Sequence, residues 1–109
     1  MKSWQLTQHA EWRLTEIAEW TAKQFGRAQA LAYQDALIER INLLASGEPP
    51  HARSCEILMR GCRAAPGLLY YREGSHFIIM RETSDKLEIL DFLYERVDLV
   101  SHIERLSKP

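Results

Sequence analysis

The apolar residues of this chain change their spacing partway along, from helical to strand-like. Ala10, Leu14, Ile17, Ala18, Thr21 and Phe25 recur at steps of three and four, which stacks them on one face of a helix. The spacing predicts a helix over 8–25. Thr7 can open it, because its hydroxyl accepts a bond from a free N–H of the first turn. Gly26 can close it, because glycine tolerates the positive φ of a helix end. Ala30, Tyr33, Leu37, Ile41 and Leu44 repeat the pattern and predict a second helix from 28 to 46. The connection at Gly26-Arg27 is short enough to make the two an antiparallel hairpin. Gly47-Glu48-Pro49-Pro50 stops the second helix, since proline lacks the donor and pushes the preceding residue out of the helical region.

Later in the chain the period drops to two. Leu68-Leu69-Tyr70-Tyr71-Arg72, His76 to Arg81 and Leu87 to Tyr94 are rich in β-branched, aromatic and aliphatic residues, which suits strands. Glu73-Gly74-Ser75 and Thr83-Ser84-Asp85-Lys86 are the turns between them, so the three strands form an antiparallel meander. Trp4-Gln5-Leu6 alternates and predicts a short first strand. Asp98 can cap a terminal helix with Leu99, Ile103 and Leu106 on one side. Residues 48–67 are the least patterned, with Ile57-Leu58-Met59 as a possible short strand. The expectation is one α+β domain over 1–109: an N-terminal strand, then a helical hairpin on a three- to four-stranded antiparallel sheet. A short C-terminal helix completes it, with the helices on one face.

Composition limits the function. Lys and Arg number 14 and Asp and Glu 15 in 109 residues, which argues against a protein that coats nucleic acid. No apolar run is long enough for a membrane span, and the first residues carry no secretory pattern. Cys55 and Cys62 match no metal spacing and no disulfide framework. A cytoplasmic chain that needs no cofactor and no metal is the expectation. The charge is nonetheless segregated. Residues 52–81 hold five Arg against two Glu, and residues 82–109 hold four bases against seven acids. The arginines either pair across a sheet surface or form an anion-facing patch.

Few residues suggest chemistry. Tyr94-Glu95-Arg96-Val97-Asp98 sits at a strand end, where Glu95, Arg96 and Asp98 serve either function or a local network holding the terminal helix. His76 opens a strand beside the Gly74 turn, but a general base needs a partner that the sequence does not name. His9, His51 and His102 are uninformative. Cys55 and Cys62 read as small apolar fillers or surface thiols. Trp12 and Trp20 lie off the apolar stripe and mark a partner surface, or one of them, Trp20 in the first instance, packs under the first strand or the terminal helix.

An ordered set of segments resembles the RelE/ParE toxin superfamily. Leu6-Thr7 with Ala10, Leu14, Ile17 and Trp20-Thr21 is similar to its first helix, and Phe25-Gly26-Arg27-Ala28-Gln29-Ala30 with Tyr33 to its hairpin corner. Leu44 to Pro50 resembles the end of its second helix. Leu87 to Leu99 resembles the ParE ending, an apolar strand followed by Leu-His-Glu-Arg-Met-Asp, here with Tyr94 and Val97. The resemblance implies the toxin half of a type II toxin–antitoxin pair that blocks replication by inhibiting DNA gyrase. It implies a ParD-like antitoxin with a ribbon-helix-helix DNA-binding half, an acidic tail of which would enter a basic-rimmed groove. It implies no membrane partner and no sequence-specific nucleic-acid binding by the toxin alone. Partner contacts would come from Trp12, Trp20, Tyr70, Arg72, His76, Arg81, Tyr94, Glu95 and Arg96. The alternatives are a non-toxic binding module or the superfamily's other branch, ribosome-dependent mRNA cleavage. That branch clusters basic residues around the scissile phosphate, and Arg60, Arg63, Arg72, Arg81, Tyr94 and Arg96 are the candidates. Asp91, where many relatives carry Arg, would repel phosphate.

Overall fold

The computed structural model describes residues 2–55 and 67–107. Cys62, Arg60, Arg63 and the strand expected at 57–59 lie outside them. The order is β1 (Ser3–Leu6), α1 (Gln8–Phe25), α2 (Arg27–Ser46), β2 (Arg53–Ser54), β3 (Leu68–Glu73), β4 (His76–Glu82), β5 (Lys86–Tyr94) and α3 (Leu99–Ser107).

The helical hairpin follows the local signals. Thr7 caps α1, its Oγ1 accepting from Ala10 N–H at 3.1 Å. Gly26 alone joins the helices. Its φ of 95° lets its N–H reach back to the Ala22 carbonyl, while its own carbonyl accepts from Ala30. Each helix buries most of the face its spacing predicts: Ala10, Leu14, Ile17 and Thr21 on α1, and Ala30, Leu37 and Ile41 on α2. Ala45 is buried where the spacing predicts Leu44, Tyr33 and Leu44 are half-buried, and Phe25 is exposed.

The sheet is mixed and has five strands among the described residues, in the order β1-β5-β4-β3-β2. The β3–β4–β5 meander is antiparallel as expected, but β1 joins the outer edge of β5 in parallel, Trp4 opposite Leu87. No tight turn joins β1 to β5, so nothing local sets the direction of β1. It is held by Thr7 N–H to the Ile89 carbonyl and by Trp4 Nε1 to Asn42 Oδ1 at 2.8 Å. Two residues, Arg53 and Ser54, form the far edge beside Tyr70 and Leu69.

Both faces of the sheet are covered. The hairpin packs on Leu87, Ile89, Phe92, Ile78 and Met80. The terminal helix packs on the other face, with Ile103 against a cluster of Leu68, Ile79, Leu93 and Cys55. The expectation that all helices share one face is therefore corrected. Leu90 and Leu93 give β5 a second apolar side, and α3 covers it. Asp98 does cap α3, through Ser101 Oγ at 2.7 Å and Ser101 N–H at 3.3 Å. Those bonds from Ser101 hold the Asp98 carboxyl below its ordinary pKa.

A bulge breaks β5. Met80 faces Ile89, but Ile79 faces Asp91, so Leu90 is the extra residue. The bulge shifts the phase of the strand. Leu87 and Ile89 face the hairpin before it and Phe92 faces the hairpin after it. Asp91 at the bulge is 4 % exposed and binds Arg13 Nε at 3.0 Å and His9 Nε2 at 3.1 Å on α1, and its own neighbour's Phe92 N–H at 2.8 Å. The carboxylate expected to repel phosphate is instead the inward anchor of α1.

Candidate functional site

An open groove of about 990 Å³ runs beneath the hairpin corner. Its long walls are the last turns of α1 and the first turns of α2, and it ends at the β3–β4 turn and the tip of β5. Trp20 and Phe25 form one rim, 56 % and 59 % exposed and edge-on at 6.1 Å. Ala32 and Ala36, one helical turn apart, keep the α2 wall low. Tyr33, His76 and Tyr94 close the end, with His76 between the two phenol rings at 5.6 and 5.7 Å.

Tyr33 holds that end together. Its hydroxyl accepts from Ser75 N–H at 3.0 Å and lies 2.6 Å from His76 Nδ1 and 3.4 Å from the Glu73 carbonyl. A hydroxyl has one proton to give. The nearer acceptor is Nδ1, so Tyr33 donates there and the neutral imidazole carries its own proton on Nε2. Burial pushes the Tyr33 phenol up, which keeps it protonated for that role. Burial also lowers the His76 pKa, with Arg13 adding to the effect and Glu95 opposing it. The imidazole is thus a neutral, oriented donor.

Two predictions arise at this corner. A Cβ added at Gly74 (φ 59°) would come within 2.7 Å of Tyr33 Cε1, a ring that its hydroxyl bonds hold in place. Gly74→Ala is expected to destabilise the fold by about 2 kcal/mol from left-handed strain and the clash, measured by urea unfolding. A change below the error of that measurement would mean that the turn relaxes freely. The second prediction concerns acid. His76 binds its proton less readily folded than unfolded, so the unfolded state takes up more protons below pH 6.5. The His76 contribution is intact above pH 6.5 and is lost as pH falls below it. The melting temperature of His76→Gln should therefore fall less than that of the parent between pH 7 and 5.5. Parallel curves would refute the linkage.

The groove gathers three of the expected partner residues, Trp20, His76 and Tyr94. Trp20 does not pack under the first strand or the terminal helix. Trp12 is also exposed, at 55 %, stacked between His9 and Arg13 on α1. Tyr70, Arg72 and Arg81 are elsewhere. Tyr70 packs edge-on against Phe77 on the α3 side of the sheet, and strand alternation from Leu68 and Tyr70, and from Phe77 and Ile79, puts Arg72 and Arg81 on that side too. Among the described residues the expected basic rim is therefore absent: the one ionised side chain of the groove's described lining is Glu16, 2.9 Å from Arg13. Glu95 pairs with Arg72 across the strand ends instead of joining Arg96 and Asp98 in a network. Cys55 is a core filler, its thiol pushed up to about 11 by burial. Among the described residues no group of three His, Cys, Asp or Glu is placed to hold a metal. No described helix is long and apolar enough to cross a membrane.

Sequence reasoning passed over Phe25 and Tyr33, which belong to the apolar stripes. A stripe predicts burial, yet at a hairpin corner nothing covers its last turn. That position next to Gly26 was the available signal.

A helical hairpin on one face of a five-stranded sheet, with an aromatic groove at its corner, defines a class of small α+β proteins. A solved chain described as "Chromosomal ParDE TA system from P. aeruginosa" has the same fold. It superposes with a TM-score of 0.67 at 18 % identity, over 86 % of this chain and 96 % of that one. No curated protein sequence matches this chain. The profile of the ParE toxin of type II toxin–antitoxin systems, parDE, matches residues 5–99, and the chain belongs to that family.

Proposed function

We propose that this toxin acts by binding DNA gyrase, not by catalysis, and that a ParD-like antitoxin with a ribbon-helix-helix half neutralises it in the cytoplasm. The observation that carries this reading is the groove. It exposes Trp20 and Phe25 on a small domain, and contiguous exposed aromatics are what a protein partner buries. An antitoxin segment that orders on contact would cover them. The placement of Arg72 and Arg81 supports binding over cleavage: they sit across the sheet from Tyr94, and Arg72 is engaged by Glu95, so these side chains do not converge on one phosphate.

A gyrase supercoiling assay with the purified protein tests the proposal. Inhibition with trapped cleavage complexes is expected, relieved by the antitoxin. No inhibition at large excess would overturn it. Codon-phased cuts in translated message would assign the chain to the cleaving branch instead.

A further inference from the structure

The groove also specifies the chemistry of what fills it. This inference rests on the groove being the partner's docking site. Its walls are mainly apolar, and their hydrogen-bonding groups (Trp20 Nε1–H, His76 Nε2–H, the Tyr94 hydroxyl, Ser75, Gln29 and Glu16) are scattered side chains, not a row of backbone groups. An extended segment laid there would leave its backbone N–H and C=O groups without partners, whereas a helix satisfies its own. The low wall at Ala32 and Ala36 lets a helix approach closely.

Charge decides the flanks of that helix. The hairpin carries Arg13, Lys23, Arg27 and Arg40. Arg13 is turned inward to Asp91, and Arg40 is turned inward to Glu73 at 2.7 Å with its guanidinium over Tyr71. Arg13 is shared with Glu16, which leaves Lys23 and Arg27 against the exposed Glu11, Glu19, Asp35 and Glu39 on the hairpin. Within the described lining the only ionised group is the Glu16 carboxylate, whose Oε1 meets Arg13. An acidic tail would meet like charge here. We infer that the groove takes an amphipathic helix whose apolar stripe is flanked by lysine or arginine, with a cation beside Glu16.

The test uses two synthetic helical peptides with one apolar stripe, flanked by Lys in one and by Glu in the other. Both are titrated into ¹⁵N-labelled full-length protein. The Trp20 indole N–H, assigned with Trp12→Phe and Trp20→Phe variants, reports on the groove. The Lys peptide is expected to shift Trp20 and His76 and to bind about tenfold tighter than the Glu peptide, a margin that several surface charge pairs supply. Raising salt should shrink that margin, and Glu16→Gln should reduce it. Equal or tighter binding of the Glu peptide overturns the inference, as does shifting at Arg72 and Arg81 in place of Trp20. Shifts by neither peptide overturn it too. None of these outcomes bears on gyrase inhibition, so the proposed function stands or falls separately.

Discussion

Replacing Phe92 with alanine is expected to lower the unfolding free energy by about 4 kcal/mol, the upper part of the range for losing a buried aromatic. Phe92 is fully buried and is the largest side chain in that state. It faces the hairpin just beyond the bulge, in the cluster with Leu14, Ile17, Leu37 and Ile41. The cost has a transfer part and a cavity part, and the second depends on whether the walls can close in. Here they are held apart. Asp91, the preceding residue, fixes α1 to β5 through Arg13 and His9, and Gly26 ties α1 to α2. The midpoint of urea unfolding should drop with an unchanged slope, and the melting temperature should fall by roughly 15–20 °C. Phe92→Leu, which keeps most of the volume, should cost about a third as much. A loss below about 1 kcal/mol for alanine would mean that the hairpin collapses onto the sheet, contrary to that anchoring.

The second large effect belongs to the anchor itself. Asp91→Ala removes the partner of a guanidinium that is three-quarters buried, with 26 % of the Arg13 side chain exposed. Stripping one member from a buried pair costs more than the pair contributes, because the remaining charge stays desolvated. Arg13 keeps Glu16 and some solvent, which places the expected loss at about 2–3 kcal/mol, below the range for a fully buried pair. Asp91→Asn should lose less, since an amide oxygen can still accept from Arg13 and from Phe92 N–H. The double variant Arg13→Met with Asp91→Leu should recover most of the stability. A double-mutant cycle in thermal and urea unfolding reads the coupling. Additive losses would show that the two side chains act independently, against the contacts described.

Some of this was legible in the residues because it is local. The start of α1 at Thr7, the joint at Gly26 and the meander turns depend on neighbours within a few positions. So do the two buried helix stripes. The candidate site was legible only in pieces. Trp20, His76 and Tyr94 stood out as odd or terminal, but they come from α1, β4 and β5. Nothing in their spacing says that they share one groove. Tyr33 reads as core from its stripe, and only the fold places its hydroxyl against His76 and Ser75. The arginine-rich stretch suggested a basic surface, but strand alternation sends Arg72 and Arg81 to the side away from the groove.

The sequence alone determined most of the elements and their order, and with them an α+β domain, because capping, period and turn chemistry act over a few residues. The tertiary structure decided the direction of β1, which pairs with a strand some eighty positions away. It decided the face taken by α3, since β5 is apolar on both sides and either could have been covered first. It decided the sign of the groove. Whether an arginine is free or locked depends on a carboxylate brought to it from another element, as Asp91 and Glu73 are brought to Arg13 and Arg40, and no count along the chain contains that information.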